Sequence, residues 1–336
     1  MAKVRLADIA EQVGVSTVTV HNALLGNKGV SEELRHRIQD VADELGYHLS
    51  DRRKAEQRAE ESHTIGVLMA ENYLAQYETF YWKMYQELAV IATEKGCFTA
   101  VEVLKKADEM ESMTLPNCVK NKRVDGLIIL GEISKQYIAR LKESAGIPIV
   151  FLDFYDKDLA NDAVVTDNFY GMFLMTELLF EQGIDELGFL GSVYATSSIT
   201  DRYCGFMKSM LLHGKQIQPE WVIEDRDKMG QMGFELPKRL PKGFVCNCDL
   251  AAYMLIDKLQ ERGIRVPEDI SVVGFDNYLY PGLPDLQITS YEVNTRAMTK
   301  VALEKILKQI KNPRRGRGLD IVSGHMVMKK SVKLKE

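Results

Sequence analysis

From residue 64 onward the chain alternates short apolar runs with longer segments of helical periodicity. The apolar runs fall at 64–70, 98–104, 126–130, 148–153, 187–191, 243–247 and 270–275. Helical segments at 77–95, 110–121, 135–145, 169–182, 199–213 and 250–262 separate them. Strands that alternate with helices imply a parallel sheet. A second set starts at Val164-Val165, so the chain is expected to build two α/β lobes. The tail returns with a strand at 288–291, a helix at 295–311 and strands near Ile321 and Met326. The basic run 313–318 reads as a solvated loop.

The residues ahead of this region follow another pattern. In 6–13 the apolar residues Leu6, Ile9, Ala10 and Val13 recur at helical spacing, and Gly14 breaks it. Ser16 can cap a second helix over 17–25, and Ser31 a third, whose first turn holds Glu32 and Glu33. Leu34, Ile38, Val41 and Leu45 form the third helix's apolar stripe, and Gly46 stops it. A helix, a tight Gly-containing turn and a second helix make a helix-turn-helix. Val20, Ala23 and Leu24 can pack inward. Thr17, Val18, His21 and Asn22 then share the outer face, where short donors, acceptors and methyls can reach base edges in a major groove. No Asp or Glu occurs from Gly14 to Val30, so no carboxylate there would repel phosphate. A merely solvated polar face is the competing interpretation.

Residues 48–63 are almost entirely polar and have no apolar face to bury. Arg52, Arg53, Lys54 and Arg58 supply positive charge, interrupted by Asp51, Glu56 and Glu60. The segment reads equally as a solvated tether and as a DNA-contacting hinge. The expected organisation is a headpiece over 1–48, a linker over 49–63 and a core over 64–336. The first lobe is expected to take 64–162 plus 293–322, and the second 163–292 plus 323–336.

The net charge of −5 argues only weakly against nucleic acid, because the local field decides contact. Five cysteines and no leader-like N-terminus suggest reduced thiols in the cytoplasm. No apolar run approaches the ~18 residues of a membrane span.

The N-terminal stretch resembles the headpiece of the LacI/GalR family of bacterial repressors. The matching residues are Leu6-Ala7-Asp8-Ile9-Ala10, Gly14-Val15-Ser16, Thr19-Val20, Val30-Ser31 and Glu44-Leu45-Gly46-Tyr47. His21 and Asn22 depart from the Ser-Arg that the family usually has there. Further on, Val124-Asp125-Gly126-Leu127-Ile128, Val165-Thr166-Asp167-Asn168, Arg202 with Gly205, and the string from Val266 to Asp276 resemble the family's two lobes and their crossover. The resemblance implies an α/β fold: a three-helix headpiece plus a two-lobed, periplasmic-binding-protein-like core of doubly wound parallel sheets, joined by three crossovers. It also implies a near-palindromic double-stranded DNA operator, a homodimer and a small-molecule effector in the inter-lobe cleft. The DNA-contacting set expected is Leu6, Ser16, Thr17, Val18, Thr19, His21, Asn22, Lys28, Arg52 and Arg53. Relatives insert a hinge leucine from an Ala-x-x-Leu spacing into the DNA. Here those positions hold Arg53 and Glu56, so this linker is expected to bend DNA less.

Ligands of doubly wound sheets bind outside the carboxyl ends of the strands, at a switch in strand order. Asp153, Asp249 and Asp276 each follow an apolar run directly. Singly, such an Asp caps a helix. Together with Arg202 they suit vicinal hydroxyls, and Tyr77 and Phe80 offer aromatic faces to a sugar ring. Cys248 stands where the family usually has Asn before the cleft Asp, and Asn247 lies one position earlier. The effector-binding set expected is thus Tyr77, Phe80, Asp153, Arg202, Cys248, Asp249 and Asp276, with a carbohydrate or carbohydrate derivative as ligand. Cys246-Asn247-Cys248 lacks the further ligands a metal needs. No GxGxxG, P-loop, HExxH or GxSxG occurs, and no cofactor or enzymatic activity is expected. The alternatives are a carbohydrate-binding protein that ignores DNA and a carbohydrate-modifying enzyme on a similar scaffold.

Overall fold

The computed structural model describes residues 4–47, 62–74, 80–159, 161–227, 230–313 and 317–335. The chain divides into two compact units, 1–62 and 63–336. The linker positions Arg52, Arg53 and Glu56, and Tyr77 of the core, lie outside the described residues.

The first unit contains α1 (Leu6–Val13), α2 (Thr17–Leu24) and α3 (Glu32–Glu44). Gly14 turns α1 toward α2 with φ 80°, a left-handed conformation that is cheap only without a Cβ, and its N–H bonds the Ala10 carbonyl. The Ser16 and Ser31 hydroxyls cap α2 and α3 by accepting from the amides of Thr19 and Leu34. Ile9, Ala10, Val13, Val20, Ala23, Ile38 and Ala42 are buried together. Leu24, Leu34, Val41 and Leu45 pack against this core while half-exposed, so the inward faces expected of α2 and α3 are present.

The second unit holds two six-stranded sheets. The first is built from β1 (Thr64–Ala70), β2 (Phe98–Leu104), β3 (Gly126–Leu130), β4 (Ile149–Leu152), β5 (Asp162–Thr166) and β11 (Leu319–Val322), in the order β11-β5-β4-β3-β1-β2. All of its pairings are parallel. The second contains β6 (Leu187–Leu190), β7 (Val222–Ile223), β8 (Gly243–Cys246), β9 (Ser271–Asp276), β10 (Thr289–Glu292) and β12 (His325–Val327), in the order β12-β10-β9-β8-β6-β7. Only β12 runs antiparallel. Each sheet therefore reverses its strand order once, beside β1 and beside β6, which makes both doubly wound.

Helices α4 (Phe80–Glu94), α5 (Asn117–Lys120), α6 (Lys135–Ala145), α7 (Asn168–Glu181), α8 (Ser197–Leu212), α9 (Asp249–Glu261) and α10 (Thr295–Lys311) link the strands. Two expectations need correction. The helix expected over 110–121 is a short π-type turn, Asp108–Ser112, followed by α5. Left-handed Met113 ends the turn, and Pro116 takes the extended conformation at the start of α5. Val164 and Val165 belong to β5 of the first sheet, so the second lobe begins after Thr166 rather than at 163. The short edge strand β7 carried too few residues to show any period.

The chain passes between the sheets three times: after β5, after β10 and after β11. One hydrogen-bonded knot ties these passages together. The Tyr291 hydroxyl donates to Asp167 Oδ1 at 2.8 Å and accepts from the Gly324 amide at 3.0 Å. A Cβ on Gly324 would lie 2.1 Å from the Glu292 carbonyl oxygen, so only glycine fits the third passage.

Candidate functional site

The outer face of α2 carries the first candidate site. Thr17 and Val18 are exposed, Val18 at 65%, and His21 and Asn22 are half-buried. Lys28 is exposed in the loop that follows. Several expected contacts also hold the fold. The Ser16 and Thr19 hydroxyls lie 2.8 Å apart within the cap, Leu6 packs partly on the core, and Asn22 Oδ1 accepts from Asn27 Nδ2 at 3.3 Å. Sequence reasoning missed Arg35. From α3 its guanidinium donates to the carbonyls of Ala23 (2.7 Å), Asn27 (2.8 Å) and Asn22 (3.4 Å). A cation on the unpaired carbonyls of a helix end opposes the negative end of its dipole, and here it fixes where the exposed face of α2 points within this unit.

The second candidate site lies where strand ends of both sheets meet. Asp153 directly follows β4, and Asp276 ends β9. Their φ values are 71° and 99°, so neither is a simple helix cap. Non-glycine residues in that region are strained and tend to mark functional positions. Tyr81 donates to Asp153 Oδ2 at 2.9 Å, and the Ser198 hydroxyl donates to the Asp153 carbonyl at 3.0 Å, one bond from each lobe. Asp153 is 6% exposed and Asp276 9%, yet the Oδ1 atom of each has no hydrogen-bond donor.

Arg202, from α8, is held from four sides. Nε donates to Asn168 Oδ1 at 2.8 Å and Nη1 to the Asn247 carbonyl at 2.6 Å. Nη2 lies 3.4 Å from Asp276 Oδ1, and the guanidinium sits 3.9 Å above the Phe275 ring. Burial pushes Asp276 up to about 7 against the pull of Arg202, with Asp153 adding to the rise. Burial also raises Asp153. Asp249, the first residue of α9, accepts from the Ser290 hydroxyl (2.7 Å) and the Tyr278 amide (2.8 Å). Burial, then Asp276, pushes it up to about 8. Cys248 is half-buried, with its thiol pushed up to about 12 by burial and by Asp276.

Among the described residues Phe80 meets the rings of Tyr81 and Tyr278. It is buried edge-on to Tyr278, with ring centroids 6.2 Å apart. The aromatic groups beside Asp153 are its neighbour Tyr81 and Tyr73, whose rings lie 4.4 Å apart. A second acid–guanidinium group also escaped the sequence reading. Arg226 binds Asp225 through two nitrogens, at 3.0 and 2.7 Å, and Asp225 further accepts from Asn247 Nδ2 (2.6 Å) and the Ser192 amide (2.9 Å). Burial alone would raise Asp225, but these bonds hold it below the usual carboxylate range. From the first lobe, Glu132 Oε2 accepts from the Ser197 amide and hydroxyl at 2.8 and 2.9 Å. A cavity of about 510 Å³ opens beside it, lined by Glu71, Asn72, Lys106, Glu109 and Met110 among others. Asp153, Arg202 and Asp276 do not line that cavity; they are buried where the lobes meet. Among the described residues no cluster of His, Cys, Asp and Glu is arranged to hold a metal.

The sequence pattern described as "Bacterial regulatory proteins, lacI family" matches residues 5–50, and "Periplasmic binding protein-like domain" matches 176–332. The HTH-type transcriptional repressor PurR of Aliivibrio salmonicida is 25% identical over 333 residues, covering 97% of this chain and 98% of its own length. The HTH-type transcriptional regulator RegA of Clostridium saccharobutylicum is 28% identical over 317 residues, covering 90% of this chain and 91% of its own. Two solved structures share the fold. One is a complex of the transcriptional regulator CelR with cellobiose, with TM-score 0.67, 17% identity, and coverage of 98% of this chain and 99% of that one. The other is the lac repressor dimer bound to operator and an anti-inducer, with TM-score 0.63, 22% identity, and coverage of 98% and 99%.

Proposed function

Because this chain belongs to the lacI family of bacterial regulatory proteins, and is therefore a DNA-binding transcriptional repressor rather than an enzyme, we propose that it acts in the cytoplasm as a homodimer on a near-palindromic operator, and that a sugar or sugar derivative between its lobes controls that binding. The observation that carries the effector reading is the pair of buried carboxylates, Asp153 and Asp276, one from each lobe, with unfilled acceptor atoms beside Arg202. Vicinal hydroxyls supply donors to such carboxylates and acceptors to a guanidinium, and Tyr73 and Tyr81 offer ring faces to the apolar side of a sugar. A ligand held by groups from both lobes favours one arrangement of the lobes, and it can shift DNA binding only by that difference in affinity.

The headpiece supports the operator reading through the acid-free outer face of α2, with Thr17, Val18, His21, Asn22 and Lys28 as the base- and phosphate-contacting candidates. The family's usual arginine is absent at Asn22, so the operator is expected to differ from those of relatives. The homodimer reading has support in the core. The edge strand β2 exposes Phe98 (69%), Val101 and Val103, and Val90 of the preceding helix α4 is exposed as well. An open apolar sheet edge is a surface that a second chain covers.

Footprinting on DNA upstream of the protein's own gene tests the operator. Two protected half-sites related by symmetry are expected, with affinity that falls steeply as salt rises. Asn22→Ala should relax base preference at one position per half-site, by about 1–3 kcal/mol for a bidentate contact. Uniform protection of any sequence would refute site-specific binding. For the effector, Arg202→Ala and Asp276→Asn should abolish the response to a ligand found by a thermal-shift library screen, while operator binding persists.

A further inference from the structure

Around the cleft acids outnumber cations, although burial pushes Asp249 and Asp276 up to about 8 and 7, so that not every acid there carries a charge. Asp153, Asp225, Asp249, Asp276 and Glu132 face it from both lobes, against Arg202 and Arg226. Arg226 is committed to Asp225 by two hydrogen bonds. Arg202 spends Nε and Nη1 on Asn168 and Asn247 and turns Nη2 toward Asp276. Among the described residues, no lysine or arginine stands within ion-pair distance of Asp153, Asp249 or Glu132. Asp249 and Glu132 are nevertheless served by donors from Ser290, Tyr278 and Ser197. Asp153 differs from both in one respect. Like them it has no paired cation, feeling Arg202 only from beyond ion-pair distance, but its buried Oδ1 alone of the three has no donor at all.

A buried carboxylate without a donor costs more than any other unfilled acceptor, because its charge as well as its lone pairs has lost water. A ligand hydroxyl brings one hydrogen and no charge. An ammonium brings three hydrogens and a positive charge, and charge-assisted bonds are about twice as strong as neutral ones. A phosphate or carboxylate would bring further acceptors to carboxylate oxygens that already lack donors, next to guanidinium groups already engaged by Asp225 and Asp276.

Building on the reading of this cleft as a carbohydrate site, we propose that the effector is an amino-substituted polyol, such as an amino sugar, whose ammonium is received by Asp153 while its hydroxyls run to Asp276 and Arg202. Anionic sugars, phosphorylated ones above all, are excluded by the same arrangement. Tyr81 then acts as a positioning residue: its hydroxyl fixes Oδ2 of Asp153 and leaves Oδ1 for the ligand.

The test is calorimetry on the full-length protein with 2-amino-2-deoxyglucose, -galactose and -mannose, the three neutral parent hexoses, and the 6-phosphates of those parents. At least one amino sugar should bind ten-fold or more tightly than its neutral parent, and the phosphates more weakly than either. In Asp153→Asn the preference for the amine should vanish, with affinity for the neutral parent kept within about three-fold. Tyr81→Phe keeps the carboxylate and should keep the preference, which secures the test should Asp153→Asn fail to fold. A neutral hexose that binds as tightly as its amine, or a phosphate that binds more tightly than its parent, overturns the amine proposal and leaves the carbohydrate reading standing. Silence from all nine compounds overturns both.

Discussion

Asp162 with Lys305 in the first lobe and Asp276 with Arg202 in the second are both buried acid–base pairs, and they differ in how completely they are filled. In the first lobe Asp162 is fully buried, and Oδ1 accepts from Lys305 Nζ (3.0 Å) and the Gly318 amide (2.8 Å). Oδ2 accepts from Gln309 Nε2 at 2.5 Å, and Lys305 also reaches the Gly318 carbonyl and Asp320. In the second lobe Arg202 lies 3.4 Å from Asp276, whose Oδ1 has no donor in hydrogen-bonding geometry. Burial pushes both carboxylates up. At Asp162 the bonds from Gln309, Gly318 and Lys305 overcome that push and hold it below the usual range, whereas Asp276 stays raised, at about 7. The carboxylate with donors on both oxygens is held low, and the one with an unfilled oxygen stays high. The filled pair clamps β5, β11 and α10 together. The unfilled pair stands at the strand ends, where a ligand can fill it.

The largest expected effect would break this contrast if it failed. Lys305→Met leaves Asp162 buried without its cation and should lower stability by about 3–5 kcal/mol, the usual cost of removing one partner of a buried pair. Asp276→Asn should leave the ligand-free protein as stable as the parent or more so. Urea denaturation of both variants checks it, and comparable losses in the two would erase the distinction between clamp and receptor.

The same pairs predict opposite pH slopes. Asp162 has a lowered folded pKa, so its contribution is present above the ordinary aspartate range and is lost as pH falls through the folded value. Asp276 is raised to about 7, so the folded state binds the extra proton, and its contribution is lost as pH rises from about 4 toward 7. Melting curves of the ligand-free protein between pH 5 and pH 8 should therefore fall with pH, and Asp276→Asn should flatten that fall. Lys305→Met should not flatten it.

Arg35 extends the comparison to the headpiece, as a half-buried cation whose hydrogen bonds go to carbonyls. Arg35→Ala should lower headpiece stability by about 1.5–3 kcal/mol, the range for hydrogen bonds to charged groups. Operator affinity should drop with it, because α2 loses the group that fixes its last turn. Circular dichroism melts of the isolated first unit would show the loss. The smallest effect is expected at the passages between the sheets. Tyr291→Phe removes a neutral donor to Asp167 and should cost about 0.5–1.5 kcal/mol. A larger loss would make this knot, rather than the Asp162 pair, the main clamp of the core.

The sequence by itself determined the order of elements, because helical caps and apolar periods act over a few residues. Ser16, Ser31 and Gly14 set the headpiece helices, and the runs at 64–70, 98–104 and 126–130 became β1, β2 and β3 without change. It also placed Asp153 and Asp276 at strand ends, whereas Asp249 lies three residues past β8 and opens α9. What it could not show is who meets whom. Asp162 and Lys305 are 143 residues apart, Tyr81 and Asp153 are 72, and Arg202 and Asn247 are 45. For that reason Tyr81 and the Asp225–Arg226 pair went unseen, and the start of the second lobe was set too early. Only tertiary structure decided these, because a side chain's partner, its burial and hence its charge depend on which strand ends the winding of each sheet brings together, and no local period records that.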